Sequence, residues 1–292
     1  MTTRIIIATH GDVDKKEKIY VGKTDLSLVE ENKSKNLGLL LKEVELYPDM
    51  VFATPSQRTV ETANLAVAAM GLYLPVHEET SFPEIDLGAD EGCPENEVRL
   101  RLGTIAAKAE GHVIADLSIE ELLVKGDVVL DLWHSKGAVP NTWKIDEDKT
   151  IKSWDNFAKK VMSECEDMNV LIVTDEATAH FSPYLTGNFV DFSKENKLSL
   201  ETGNFAIFEK APKGDYWICR AWDENPEVVL KEIYEEDEGC CGGSCGCGGH
   251  HHEEHECACG HSHSEEHECC GGHHHGEGHE CCGGGCGCGH KH

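Results

Sequence analysis

Ile5 to Gly11, "IIIATHG", opens the chain with an apolar run that breaks off at Thr9-His10-Gly11. Four apolar residues in succession, with no polar alternation, suit a short strand buried on both faces, as in a parallel sheet. The next stretch, "DVDKKEKIYVGKTDLSL", is rich in charge and turn formers and reads as a loop. His10 therefore stands where a strand hands over to a loop, a place for a catalytic group or for an ordinary strand-end histidine.

Outward from this point the pattern repeats. Leu37, Leu40 and Leu41 fall at helical spacing within 32–45, "DMVFATPSQ" is a second strand ending at Thr54-Pro55, and Gln57 to Met70 is a helix. Glu78 to Ile151 is less regular and reads as a cap or insertion with helices over 95–109 and 119–124. Ser153 to Cys165 is a further helix, "NVLIVTD" a strand, and "GNFAIFEK" and "DYWICRAW" the last strands. The expected fold class is α/β, a mostly parallel sheet flanked by helices, over 1–225. Residues 226–238 form an acidic helix or linker, and 239–292 a disordered Gly/Cys/His-rich tail.

Composition narrows the partners. The formal net charge is −28; Glu235 to His292 holds 12 acidic residues against one Lys, −11, which leaves −17 for the front part. Both parts are acidic, so nucleic acid and anionic membrane surfaces are not expected partners. The apolar run at the N-terminus is too short for a secretory core, and no stretch of about 18 apolar residues occurs. The cytoplasm is the expected compartment, where clustered Cys and His suggest metal ligands before disulfides.

Three strand ends carry the chemistry: Thr9-His10, Thr54 to Arg58, and Thr174-Asp175. With "GKTDLSL" (Gly22 to Leu28), "PSQRTVETA" around Arg58, and "PEIDLGADEG" around Glu84, they resemble the histidine phosphatase superfamily, the phosphoglycerate mutase-like proteins. The resemblance covers about 4–222. It implies His10 as the residue that attacks phosphorus, Arg58 as a phosphoryl-binding cation and Glu84 as the general acid, with Thr9, Gly11 and Asp175 in the substrate pocket. No cofactor is needed for a phosphohistidine mechanism, and a phosphorylated small molecule is the implied ligand.

This chain departs from the family pattern at two cations. Thr9 stands in place of the first Arg, and Asp175 in place of the second His. Phosphoryl transfer asks a protein chiefly for positioning and positive charge, so weak or absent phosphatase activity is expected. The alternative is an active phosphomonoesterase working through His10. Asp175 also suits a helix N-cap at a strand-to-helix turn.

The tail carries a second signal. Its short units "HHHEEHECACG", "HSHSEEHECCGG" and "HHHGEGHECCGG" offer soft and borderline ligands. The candidate metal-binding cysteines are Cys240, Cys241, Cys245, Cys247, Cys257, Cys259, Cys269, Cys270, Cys281, Cys282, Cys286 and Cys288. The candidate histidines are His250, His251, His252, His255, His261, His263, His267, His273, His274, His275, His279 and His290. The tail is similar to that of the nickel-handling prolyl isomerases, which implies Ni or Zn as bound ions and a metal-receiving protein as partner. A low-complexity solubility segment is the competing reading.

Overall fold

A computed structural model describes residues 2–13 and 19–238, with side chains through 235. The candidate metal ligands of the tail lie outside the described residues. The chain divides into two units, 1–229 and 230–292. Within the first, six strands form one sheet: β1 (Arg4–Thr9), β2 (Met50–Ala53), β3 (Val76–Glu78), β4 (Asn169–Thr174), β5 (Phe205–Lys210) and β6 (Trp217–Glu224). Their order is β3-β2-β4-β1-β5-β6. β3, β2, β4 and β1 run parallel, and the antiparallel β5 then pairs with β6.

β1 lies between β4 and β5, and Ile5, Ile6, Ile7 and Ala8 are fully buried. Its unbroken apolar sequence is what a central strand covered on both faces requires. Ile5 and Ile7 join Val170 and Ile172 in one cluster with Trp154, Phe157 and Val161 of α5 (Glu147–Glu164). Strand alternation turns Ile6 and Ala8 to the other face. There α1 (Asn32–Glu43) packs on α2 (Gln57–Met70), which in turn meets β2 and β4.

The region 78–151 differs from the expectation. α3 (Glu95–Ala109) matches it, but α4 runs over Ile119–Lys136, three turns beyond the expected end at 124. A capping box starts α4: Ser118 Oγ accepts from the Glu121 amide at 3.2 Å, and the Glu121 carboxylate accepts from the Ser118 amide at 2.8 Å. α3 and α4 form a hairpin whose backbones nearly touch. A Cβ on Gly103 would lie 1.8 Å from the Leu122 carbonyl oxygen, and one on Gly126 would lie 2.0 Å from that of Arg99. Only glycine permits that approach, and it brings the C-terminal end of α4 into position at the site. α5 starts six residues before the expected Ser153, capped by Asp146, whose carboxylate accepts from the Lys149 amide at 3.0 Å.

The edge strand β3 and two short helices, α6 (Glu176–Ala179) and α7 (Phe189–Glu195), carry too little periodic pattern to be read from sequence. α8 (Pro226–Glu238) comes after β6. Among the described residues no helix is long and apolar enough to cross a membrane.

Candidate functional site

Strand register assembles the site. Thr9 pairs with Thr174 across β1 and β4, so the next residues, His10 and Asp175, emerge side by side. Ala53 pairs with Val173, and the chain beyond β2 turns into α2 within the same region, placing Arg58 in its first turn.

His10 is buried, and its Nδ1 lies 2.7 Å from the Gly11 carbonyl oxygen. A carbonyl can only accept, so this contact places the proton on Nδ1 and, in a neutral ring, the lone pair on Nε2. That is the tautomer an attacking imidazole needs. Nε2 faces Asp175 Oδ1 at 3.8 Å.

Arg58 is 2% exposed, and each of its three nitrogens donates to a neighbour. Nε donates to Asp175 Oδ1 at 2.7 Å, and a second nitrogen pairs with the same oxygen. The remaining donors hold the loop before α1, bonding the carbonyls of Thr24 and Gly22 at 2.7 Å each. Asp175 occupies the N-cap position of α6 but makes no side-chain cap bond; its carboxylate turns to Arg58 instead.

Thr9 and Gly11 serve packing. The Thr9 hydroxyl accepts from the Gly203 amide at 2.8 Å and contacts the carbonyls of Glu201 and Asn204, tying β1 to the loop before β5. The Gly11 amide donates to Thr62 Oγ1 at 2.9 Å. Neither residue lines either of the two cavities beside the strand ends.

Those cavities meet at the Arg58–Asp175 pair. One, of about 1030 Å³, is lined by His10; the other, of about 310 Å³, is lined by the exposed Glu84. Arg58, Asp175, Gly22 and Ile85 border both. His10 lines the larger and Glu84 the smaller of these adjoining cavities. The acids near Glu84 have separate tasks. Asp86 pairs with Lys23 at 3.0 Å, an interaction that helps hold its carboxyl below the ordinary range after the Gly88 amide bond. Glu91 accepts from the Gly22 and Thr24 amides at 3.0 Å, and Asp90 is fully buried.

The larger cavity includes residues that no motif announced: Tyr20, Asp131, Trp133, His134, Trp143 and His180. The only trace was "DLWHSK" (Asp131 to Lys136), an aromatic-histidine pair at the end of a helix. Burial and neighbouring His134 push the His180 imidazole down to about 3, and burial pushes the Tyr20 phenol up to about 12. Among the described residues no group of three or more His, Cys, Asp or Glu side chains is placed to hold a metal ion.

Residues 5–114 match the histidine phosphatase superfamily (branch 1). The matched segment runs from β1 through α3 and contains His10, Arg58 and Glu84. Over 107 residues the sequence is 35% identical to a 2,3-bisphosphoglycerate-dependent phosphoglycerate mutase of Bifidobacterium longum, a match covering 35% of this chain and 44% of that one. It is 29% identical over 104 residues to phosphoglycerate mutase 1 of Saccharomyces cerevisiae, covering 34% and 42%. The matched stretch thus spans less than half of these relatives.

Likeness in fold extends further than the sequence match. A phosphoglycerate mutase from Bacillus anthracis superposes with a TM-score of 0.59 at 19% identity, covering 79% of this chain and 97% of that one. A mycobacterial glucosyl-3-phosphoglycerate phosphatase, in complex with inorganic phosphate, gives 0.53 at 17%, covering 77% and 99%. At such identities the likeness concerns the fold alone.

Proposed function

We propose that this histidine phosphatase fold has little or no phosphatase activity and that the chain binds Ni or Zn through its C-terminal Cys/His segment. The observation that carries the first part is the ion pair between Arg58 and Asp175. A phosphoryl group at His10 Nε2 would meet a carboxylate oxygen 3.8 Å from the attacking nitrogen. Because that carboxylate is paired with Arg58, the two are close to neutral as a unit and withhold the attraction, roughly 4 kcal/mol at about 4 Å and an effective dielectric near 20, that an unpaired guanidinium would give a phosphoryl charge. The guanidinium is held further by the Thr24 and Gly22 carbonyls, to which it also donates. Thr9 cannot compensate, because its hydroxyl is committed to the 201–204 loop.

The test is turnover of p-nitrophenyl phosphate with and without Ni or Zn. Expected is a trace rate; turnover of about 1 per second or more, abolished by His10→Ala, would establish the competing phosphomonoesterase reading. Asp175→His is the variant expected to raise the rate. Thr9→Arg is a poorer choice, since it would strip the hydrogen bonds that tie β1 to the 201–204 loop.

The second part rests on twelve cysteines and thirteen histidines within 239–292. Thiolate and imidazole are ligands for these ions, and intervening glycines leave a backbone free to wrap them. Equilibrium dialysis followed by metal analysis should find several ions per chain at pH 7.5 and fewer at pH 5.5, where imidazoles take up protons. A chain ending at Glu238 that retains as much metal as the full chain would refute metal binding by the tail.

A further inference from the structure

The two sides of α4 differ in character. Leu122, Gly126, Leu130 and Trp133 are buried, and Gly126 seats the helix on the backbone of α3. On the opposite side Val124, Val128 and Leu132 are 61%, 54% and 47% exposed. Successive members are four residues apart, so the three side chains form one continuous ridge along the helix. A single exposed valine needs no explanation. An aligned row is the surface that one helix packs into the groove of another.

Charge flanks this ridge unequally. At about 100° per residue, Glu120, Asp127 and Asp131 fall on one side of it and Lys125 and Lys136 on the other. Asp127 is held within the chain by Arg99. Lys125 pairs with the exposed Glu110, a surface contact of the kind that is readily exchanged, and Lys136 donates to the Ser193 carbonyl at 2.9 Å. In two parallel helices related by a two-fold along their length, the acidic side of one meets the basic side of the other, and positions five apart in sequence come opposite. Glu120 and Lys125 are five apart, and so are Asp131 and Lys136. An antiparallel pair would set acidic side against acidic side. The ridge and its flanking charges are therefore self-complementary in the parallel orientation, as a two-fold interface requires.

We propose that the exposed ridge of α4 docks a second copy of this chain, as a parallel two-fold pair. Val124, Val128 and Leu132 of one copy pack on the same ridge of the other. Glu120 of each copy faces Lys125 of its neighbour, and Asp131 faces Lys136. One helix pair buries less than a standard protein interface, so the dimer is weak and reversible, with a dissociation constant of about 10–100 μM. The proposal is independent of the phosphatase and metal readings.

Sedimentation velocity of the full chain from about 5 to about 500 μM tests it. A phosphine reductant and EDTA keep the C-terminal thiols out of the measurement, and salt at about 150 mM screens the net charge of −28. The weight-average mass should climb from 32.1 kDa toward twice that value. Val128→Glu should weaken association by about tenfold or more, because the interface would bury unpaired carboxylates. Lys136→Asp should weaken it roughly two- to fivefold, and Asp131→Lys combined with Lys136→Asp should restore the parent affinity. All three positions are exposed, so melting temperatures should stay close to the parent's. A chain that stays monomeric at the highest concentration, an association unchanged by Val128→Glu, or a charge swap that fails to restore the Lys136→Asp loss would overturn the proposal. Association that persists in Val128→Glu and disappears in a chain ending at Glu238 would overturn it too, by assigning the contact to the C-terminal segment.

Discussion

Asp175→Asn would remove the negative charge beside Arg58 and leave the guanidinium with neutral acceptors, the amide oxygen and the Thr24 and Gly22 carbonyls. A buried cation that loses its counter-ion typically destabilises a protein by about 3–5 kcal/mol. A bound anion should restore much of that, so the variant should melt lower than the parent and rise with added orthophosphate, whereas the parent should not respond. A thermal-shift series in phosphate measures both, and a phosphate-sensitive parent would contradict the pairing. His180 supports a prediction about pH. Its folded value is depressed to about 3 from 6.5, so the unfolded chain binds the proton first. Its stabilising effect is therefore full above about pH 6.5 and falls as the pH drops toward 3, by up to about 1.4 kcal/mol per unit. His180→Phe retains a ring against Trp133 and should flatten the slope between pH 6.5 and 5 in urea denaturation; an unchanged slope would show that other groups set it. His10 and Arg58 were legible because each comes after a strand in a recognisable order, but the direction of the Asp175 side chain was not. An Asp after a strand can equally cap a helix, and only the position of Arg58 decides between the two.

At the scale of elements, the α3–α4 hairpin is the part that the site depends on and that the sequence revealed least. Gly126→Leu would drive a side chain into the Arg99 carbonyl, where even a Cβ would lie 2.0 Å away. The helices must separate, at a cost of several kcal/mol. The Trp133 end of α4 would shift with them. Expected are a lower melting temperature and a changed tryptophan fluorescence; a parent-like melt would mean that the hairpin tolerates spreading. Asp90 stitches this hairpin to the rest of the domain through Arg101, Thr142 and Trp143. Asp90→Ala should destabilise by about 3 kcal/mol or more in denaturant titration, because it removes the charge partner of Arg101 and takes the acceptor from the Thr142 hydroxyl and the Trp143 indole N–H together. Near-parent stability would show that these groups find other partners. Gln57 to Met70 could be placed from sequence to the residue, since Ala63, Ala66, Val67 and Met70 trace one buried stripe. α4 ran past its expected end because "KGDVVLDLWHSK" carries apolar residues on more than one side, with Val124, Val128 and Leu132 left exposed. Such a pattern does not declare a single face.

At the scale of the whole molecule, the chain pairs a domain that has its own core with a segment of different chemistry. A chain ending at Glu238 should melt cooperatively and without added metal, because Trp154, Phe157, Phe208 and the β1 isoleucines all lie within 1–229. Circular dichroism through the melt checks this, and a broad, metal-dependent transition would refute it. The sequence alone determined the α/β class, the burial of β1, the order of the strand-end motifs and the composition of 239–292. These are local properties: an apolar run, a helical stripe, a cluster of ligands. Only the tertiary structure decided that Asp175 neutralises Arg58, that Glu84 and His10 line different cavities, and that an aromatic wall from 20, 133 and 143 faces His10's cavity. The physical reason is sequence separation. Arg58 and Asp175 are 117 residues apart, and their pairing arises from the register of β2, β4 and β1, which no local pattern encodes.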